Sequence, residues 1–322
     1  MTLGIYLCIY IGFAIFLAGC IRRVIQYART PIHLRWELYP VPHEEPGRVA
    51  HGGSYFETSD WWTQPRHFNF RGELRAMVTE IVFLKGLWEF NRKLWYASFL
   101  FHFGLYCTIA SVVLVIAQVI MSAMVAGWAS GMGGVAVAGL YRITGYAALL
   151  LTLAGAVALL WRRIADQELK NFTSPADVFN LALFILTYCV LGAGYFSRSA
   201  SVTAVTRGML TFDLAVEVPP LIGLGLLLAC ALVAYIPFTH MAHFIAKYFT
   251  YHAVRWDDRT NPRGGKIEAA VAGYLAYKPN WSAAHVGATG EKTWVEIATT
   301  NPALAQPAPT SRALGTPTEV RK

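Results

Sequence analysis

Five stretches of the chain are long and apolar enough to cross a lipid bilayer, and no other feature of the sequence narrows the fold as far. A helix needs about 20 apolar residues to traverse the hydrocarbon core, and residues 3–21, 95–121, 135–161, 177–196 and 219–238 each supply such a run. Peptide groups find no water inside the bilayer, so a spanning segment closes its own hydrogen bonds as a helix. The fold expected is therefore all-α, a polytopic membrane protein. Composition agrees: 14% of the residues are charged, against about 25% in soluble chains. Disorder, collagen and a disulfide scaffold are excluded on the same ground.

Basic residues in the connections set the expected topology. Residues 22–93 hold eleven Lys and Arg, 162–170 hold three, and the tail after the fifth span holds ten. The segment 122–134 holds none, and 197–219 only Arg198 and Arg207. Cytoplasmic loops collect Lys and Arg, so the N-terminus is expected outside and the C-terminus in the cytoplasm. The net charge of +8 is then an orientation signal, and no nucleic-acid partner is implied. Leu17-Ala18-Gly19-Cys20 resembles a lipoprotein cleavage box, but no basic residue precedes it, as a secretory signal requires, and Arg22 and Arg23 follow at once. The first span is expected to stay.

Four parts follow: a first transmembrane helix (1–21), a cytoplasmic loop (22–94), a four-helix membrane core (95–250) and a cytoplasmic tail (251–322). The loop is rich in Pro, Trp, Tyr and Phe, as at Tyr39-Pro40-Val41-Pro42 and Trp61-Trp62, too aromatic for a disordered linker. Between Gly72 and Phe90, residues Leu74, Met77, Ile81, Leu84, Leu87 and Trp88 recur at helical spacing. That pattern predicts an amphipathic helix on the cytoplasmic face. Span five is expected to run on as helix past His243 toward Tyr248. Beyond Asn301 the Pro, Ala and Thr content predicts disorder.

The chemistry of soluble enzymes is missing. No glycine-rich phosphate loop, H-E-x-x-H or serine elbow occurs, and Cys8, Cys20, Cys107, Cys189 and Cys230 form no C-x-x-C pair. Conventional iron–sulfur ligation and c-type haem attachment are thereby excluded. Of nine histidines, His33, His43, His51, His67, His252 and His285 lie in polar segments and need only solvent or partner contact. His102 lies inside span two, about 10 Å from Trp95 along the helix, and His240 and His243 lie at the cytoplasmic end of span five. An ionisable residue within a span usually faces the bundle interior with a partner. Histidines at comparable depth on two helices suit bis-histidine ligation of a haem b. The competing reading leaves His102 bonded to a backbone carbonyl and the other two in the interface.

Leu100-Phe101-His102-Phe103 and Pro237-Phe238-Thr239-His240-Met241-Ala242-His243 resemble motifs of the gamma subunit of respiratory nitrate reductase, a family that includes the membrane cytochromes of sulfate-reducer redox complexes. Arg162-Arg163 followed by Ala176-Asp177 adds to the likeness, which covers roughly residues 95–255. The segment Arg71-Gly72-Glu73 to Lys85-Gly86-Leu87 and Asn91-Arg92 looks closer to the sulfate-reducer branch. The resemblance implies five spans with an external N-terminus and haem b between spans two and five. Its ligands by motif are His102 and His243. Depth along span five, about 31 Å for His240 and 36 Å for His243, favours His240 instead; the histidine not used is expected to bond a propionate or a quinone carbonyl. Two-haem members carry further histidines where this chain has Val112 and, approximately, Gly225, so a single haem is implied.

The function expected is that of a cytochrome b subunit in a bacterial or archaeal cytoplasmic membrane. It passes electrons between menaquinone and a cytoplasmic iron–sulfur partner related to heterodisulfide reductase, with other membrane or periplasmic multihaem cytochromes as candidate neighbours. One haem carries one electron, so the chain is a subunit of a quinone-linked oxidoreductase rather than an enzyme alone. Arg92 is expected near a propionate. His240 with Arg75, Glu80 or Lys85 is expected to line a quinone site near the haem. Arg142, close to where the resembled family keeps an outer quinone-site lysine, is expected to reach the outer headgroups, the alternative being a remnant of that outer site. The alternative is a haem-free anchor or a small-molecule carrier; carriers often show internal repeats, and none is visible here.

Overall fold

The structure, a computed structural model, describes residues 1–30, 40–197, 199–280 and 288–301. His33, Tyr39, Arg198, His285 and the tail beyond Asn301 lie outside the described residues. Among the described residues there is no strand, and five helices are long and apolar enough to cross a membrane. Span one is Thr2–Arg29, span two Arg92–Met124, span three Met132–Ala165, span four Pro175–Phe196, and span five Pro220–Tyr235 with a 3-10 turn to Phe238. The protein is a multi-pass membrane protein.

The helix starts are written in the sequence. Asn91 opens span two by accepting the Leu94 N–H at 3.0 Å, as a capping residue does. Ser174 and Asp177 form a capping box at span four, with Pro175 in the first turn. Spans two and three extend several residues beyond their apolar runs. At 33 residues, span two is about 50 Å long, well over the hydrocarbon thickness of about 30 Å.

Two compact units divide the chain: residues 1–26 with 39–247, and residues 27–38 with 248–322. In the first, the bundle core gathers Phe101, Ala156, Phe184, Tyr188 and Leu232. Spans two and three meet through glycines. A Cβ on Gly104 would run into Thr152, and one on Gly155 into the Phe101 backbone. Lipid tails are as apolar as leucine, so helices in a membrane associate through such close approach rather than through exclusion of water. Ile109, Ile143 and Leu150, exposed by 63%, 67% and 67%, face outward; in water they would be an aggregation surface, whereas here they meet lipid.

Span one packs on span five, where Gly12 approaches Cys230 and Gly19 approaches Pro237. It also docks a short helix between spans four and five, Val202–Thr211. Tyr10 Oη donates to the Met209 carbonyl at 2.6 Å, and Ile5, Tyr6, Val205 and Val218 form a second buried cluster.

Residues 40–69 of the first loop are folded. Glu44 is buried and accepts the Val41 and Tyr55 N–H groups at 3.1 and 3.3 Å. His43 is also buried, stacked on Phe68 at 5.5 Å between ring centroids, rather than meeting solvent.

The predicted amphipathic helix over 72–90 is two helices, Phe70–Val82 and Lys85–Phe90. Leu84 between them takes the left-handed conformation (φ 52°), which costs an L-residue roughly 1–2 kcal/mol and folds the second helix away from the axis of the first. Tyr106 Oη holds the Ile81 carbonyl at 2.6 Å, and Trp95 Nε1 holds the Phe83 carbonyl at 2.7 Å. Span two thus binds the turn directly.

In the second unit, His252 stacks on Tyr248 at 4.0 Å and Arg255 lies over the Tyr251 ring at 4.5 Å. Helices Lys266–Leu275 and Trp294–Thr299 follow, the latter opened by a capping box of Thr293 and Glu296.

Candidate functional site

Span five does not run on into the segment that carries the paired histidines, and this corrects the continuous helix expected there. Pro237 has no N–H to donate, and the helix tightens into a 3-10 turn at Ile236–Phe238. Thr239 is then fully extended (φ −120°, ψ 177°). Its Oγ1 accepts the Met241 N–H at 3.2 Å and restarts the chain as a 3-10 turn, followed by the helix His243–Thr250. Arg23 of span one steadies the break by donating from Nε to the Pro237 carbonyl at 2.9 Å.

The break swings the two histidines to different neighbours. His243 faces His102 of span two, with ring centroids 5.9 Å apart and planes 69° from parallel. His240 turns to span four: its Nε2 is 3.6 Å from Asp177 Oδ1 and 3.5 Å from Asn180 Nδ2, and its side chain is 60% exposed. Asp177 also lies 3.4 Å from Arg163 Nη1. The basic pair of span three and the acidic start of span four, noticed in the sequence only as motifs, therefore hold His240.

Both facing rings are oriented from behind. His102 Nδ1 lies 2.7 Å from the Ser98 carbonyl, and His243 Nδ1 lies 3.1 Å from the His240 carbonyl. A carbonyl only accepts, so each Nδ1 carries its proton and each Nε2 keeps a lone pair. His243 is exposed as a residue, yet desolvation of its ring lowers the pKa below the ordinary histidine value; the bond to the His240 carbonyl opposes this, and the charges of His240 and Lys247 add to it. A neutral imidazole is the form that binds metal.

Two imidazole nitrogens each about 2 Å from one metal put their ring centroids roughly 6 Å apart, close to the spacing found. A bare ion wants more donors, and the described residues hold no group of three or more His, Cys, Asp or Glu able to bind one. A macrocycle that brings four nitrogens of its own needs only two axial ligands from protein. The donor set fits haem.

The other expected residues are dispersed. Arg92 is exposed, its guanidinium 4.7 Å over the Trp88 ring. Arg75 is exposed on helix 70–82, and Lys85 pairs with Glu89 at 3.6 Å. Glu80 turns inward, its Oε2 accepting the Gly86 N–H at 2.9 Å and its Oε1 2.5 Å from Lys247 Nζ. Arg142 lies 5.8 Å over the Tyr141 ring.

A cavity of about 260 Å3 opens farther along the bundle. Its wall is mostly apolar, with Thr108, Ser111, Tyr146, Tyr188 and Tyr195 contributing hydroxyls. Thr108 Oγ1 and Tyr188 Oη are 2.6 Å apart. Val112 lines it too, whereas Gly225 is buried against Leu191. The sequence offered no periodic signal for this cavity, because its lining comes from four spans and the helix 202–211.

Neither the curated proteins nor the solved structures contain a match to this chain. The nitrate reductase gamma subunit family does match, over residues 87–257. That stretch takes in spans two to five, both facing histidines and the cavity. It covers more than half of the 322 residues, and the chain belongs to the nitrate reductase gamma subunit family of membrane cytochromes b.

Proposed function

We propose that the protein is the membrane subunit of a complex that moves electrons between menaquinol and a cytoplasmic iron–sulfur partner, and that His102 and His243 would hold the one haem b that supplies its redox chemistry. The observation that carries this reading is the ring pair at 5.9 Å with both Nδ1 atoms committed to carbonyls. Haem b, when bound, takes up and passes on one electron at a time. The chain's own residues do the rest. Ser98 and the His240 carbonyl fix each tautomer, the usual way an outer partner orients a ligand. The Phe101 and Phe184 rings, stacked edge to face at 4.9 Å, keep the neighbouring bundle core dry. Val112 and Gly225, where two-haem relatives carry histidine, offer no donor, which supports a single haem.

Menaquinol releases two electrons and two protons, so its ring needs an apolar slot with hydroxyl partners beside the haem. The 260 Å3 cavity has that character, and Thr108 lies six residues, about 9 Å, from His102 along span two. Arg75 and Lys85 are exposed on the helices 70–82 and 85–90, and Glu80 is engaged by the Gly86 N–H and by Lys247. The hydroxyls of Thr108 and Tyr188 would hydrogen-bond a quinone oxygen there. The partner is a cytoplasmic iron–sulfur protein of the heterodisulfide-reductase type, docking where the folded first loop, rich in aromatic side chains, faces it.

Two predictions separate the parts of this reading. His240→Ala should keep the b-type band near wild-type intensity, since that ring bonds span four; its loss would make His240 the ligand. Ala148→Phe, at a buried cavity wall, should slow reduction of the b band by a menaquinol analogue at least about tenfold while dithionite still reduces it fully. Unchanged quinol kinetics would move the quinone elsewhere.

A further inference from the structure

Because span five breaks at Pro237 and Thr239, the place of His243 is not inherited from a membrane helix. The helix 243–250 is only two turns long and needs its own restraint. Lys247 lies one turn beyond His243 on the same face, where side chains four apart are neighbours. Its ammonium is 2.5 Å from Glu80 Oε1. Glu80 in turn is fixed by the Gly86 N–H, at the turn that Tyr106 and Trp95 bind to span two. The chain of contacts therefore runs from span two, through the amphipathic pair of helices, to the helix bearing His243.

We propose that Glu80 is a positioning and charge-setting residue for the haem held by His102 and His243. Through Lys247 it holds the helix 243–250 in place, and its carboxylate offsets the ammonium beside the His243 ring. The inference rests on reading those two histidines as haem ligands. The pair is half-buried, and desolvation cancels part of its attraction, so its worth to stability alone is small. A charge one turn from an axial ligand, in surroundings poorer than water at screening, acts directly on the haem potential. Reduction adds an electron, so a bare cation there favours the reduced state and a bare anion the oxidised state. The Glu80 carboxylate offsets part of the Lys247 charge.

The test uses the full chain in native membranes and three variants: Glu80→Gln, Lys247→Met, and the exchange Glu80→Lys with Lys247→Glu. Haem per chain, midpoint potential by redox titration and the low-spin haem signal by electron paramagnetic resonance are measured. The expected result is a rise in potential for Glu80→Gln, a fall for Lys247→Met, and a return toward wild type in the exchange. A strut without an electrostatic role would move both single variants the same way. That result, or no shift in either while haem is retained, overturns the proposal. Should the single variants lose haem altogether, recovery of haem in the exchange supports the proposal and failure to recover it overturns the proposal. A wild-type chain with no b band would instead overturn the ligand reading, and this inference with it.

Discussion

Replacing His102 with alanine is expected to remove the b-type absorption band entirely while leaving a five-span protein in the membrane. The substitution would take away one of the two histidines proposed to hold the haem. Loss of an outer hydrogen-bond partner alone costs about 10–100-fold in affinity at metal sites, so loss of a ligand should exceed 100-fold. Insertion should not suffer, because alanine is cheaper than histidine inside a span and the span two helix is capped by Asn91, eleven residues earlier. The ring also packs edge-on to Phe101 at 5.5 Å, so a modest fall in melting temperature is expected as well. His243→Ala should match it in haem loss. Spectra of membranes, with chain content fixed by immunoblot, would decide; a surviving band in His102→Ala removes span two from the ligand set.

Gly155→Leu is expected to be the most damaging single substitution in the bundle. A Cβ at that position meets the Phe101 backbone, which cannot rotate away as a side-chain tip can. Overpacking a filled core costs about 1–3 kcal/mol even where side chains give way, and here two helix backbones must separate. A loss of about 3 kcal/mol or more is expected, with haem displaced too, because Phe101 adjoins His102. Gly139→Ala on the same helix is the control. Nothing lies within 4 Å of a Cβ there, and alanine gains up to about 1 kcal/mol of helix propensity over glycine. Thermal unfolding in detergent should separate the two variants widely; equal melting temperatures would contradict the close packing of spans two and three.

The sequence disclosed what periodicity and hydropathy can carry. Five spans stood out because a bilayer demands runs of about 20 apolar residues, and their ends moved by only a few positions except where polar extensions such as 22–29 continued the first helix. His102 stood out because an ionisable group in a span is rare. Hidden were the features set by local backbone geometry and by contacts between distant segments. The break after Pro237 turns on the extended conformation of Thr239, and without it His240 and His243 read as neighbours on one helix differing only in depth. Leu84 in the left-handed region is invisible to an apolar pattern that simply continues through it. The pairing of Glu80 with Lys247 is equally hidden, because the two lie 167 residues apart. Nothing in the sequence marked the cavity, although Val112, where two-haem members of the resembled family carry histidine, lines it.

The central claim is that one haem b sits between His102 and His243, and haem counting tests it most directly. The purified chain, shown to be folded by its helical circular dichroism, would be examined by a reduced-minus-oxidised spectrum alongside a chemical haem assay. One b haem per chain is the predicted result, absent in His102→Ala and His243→Ala and present in His240→Ala. Two haems per chain, or none in the folded protein, would contradict the account.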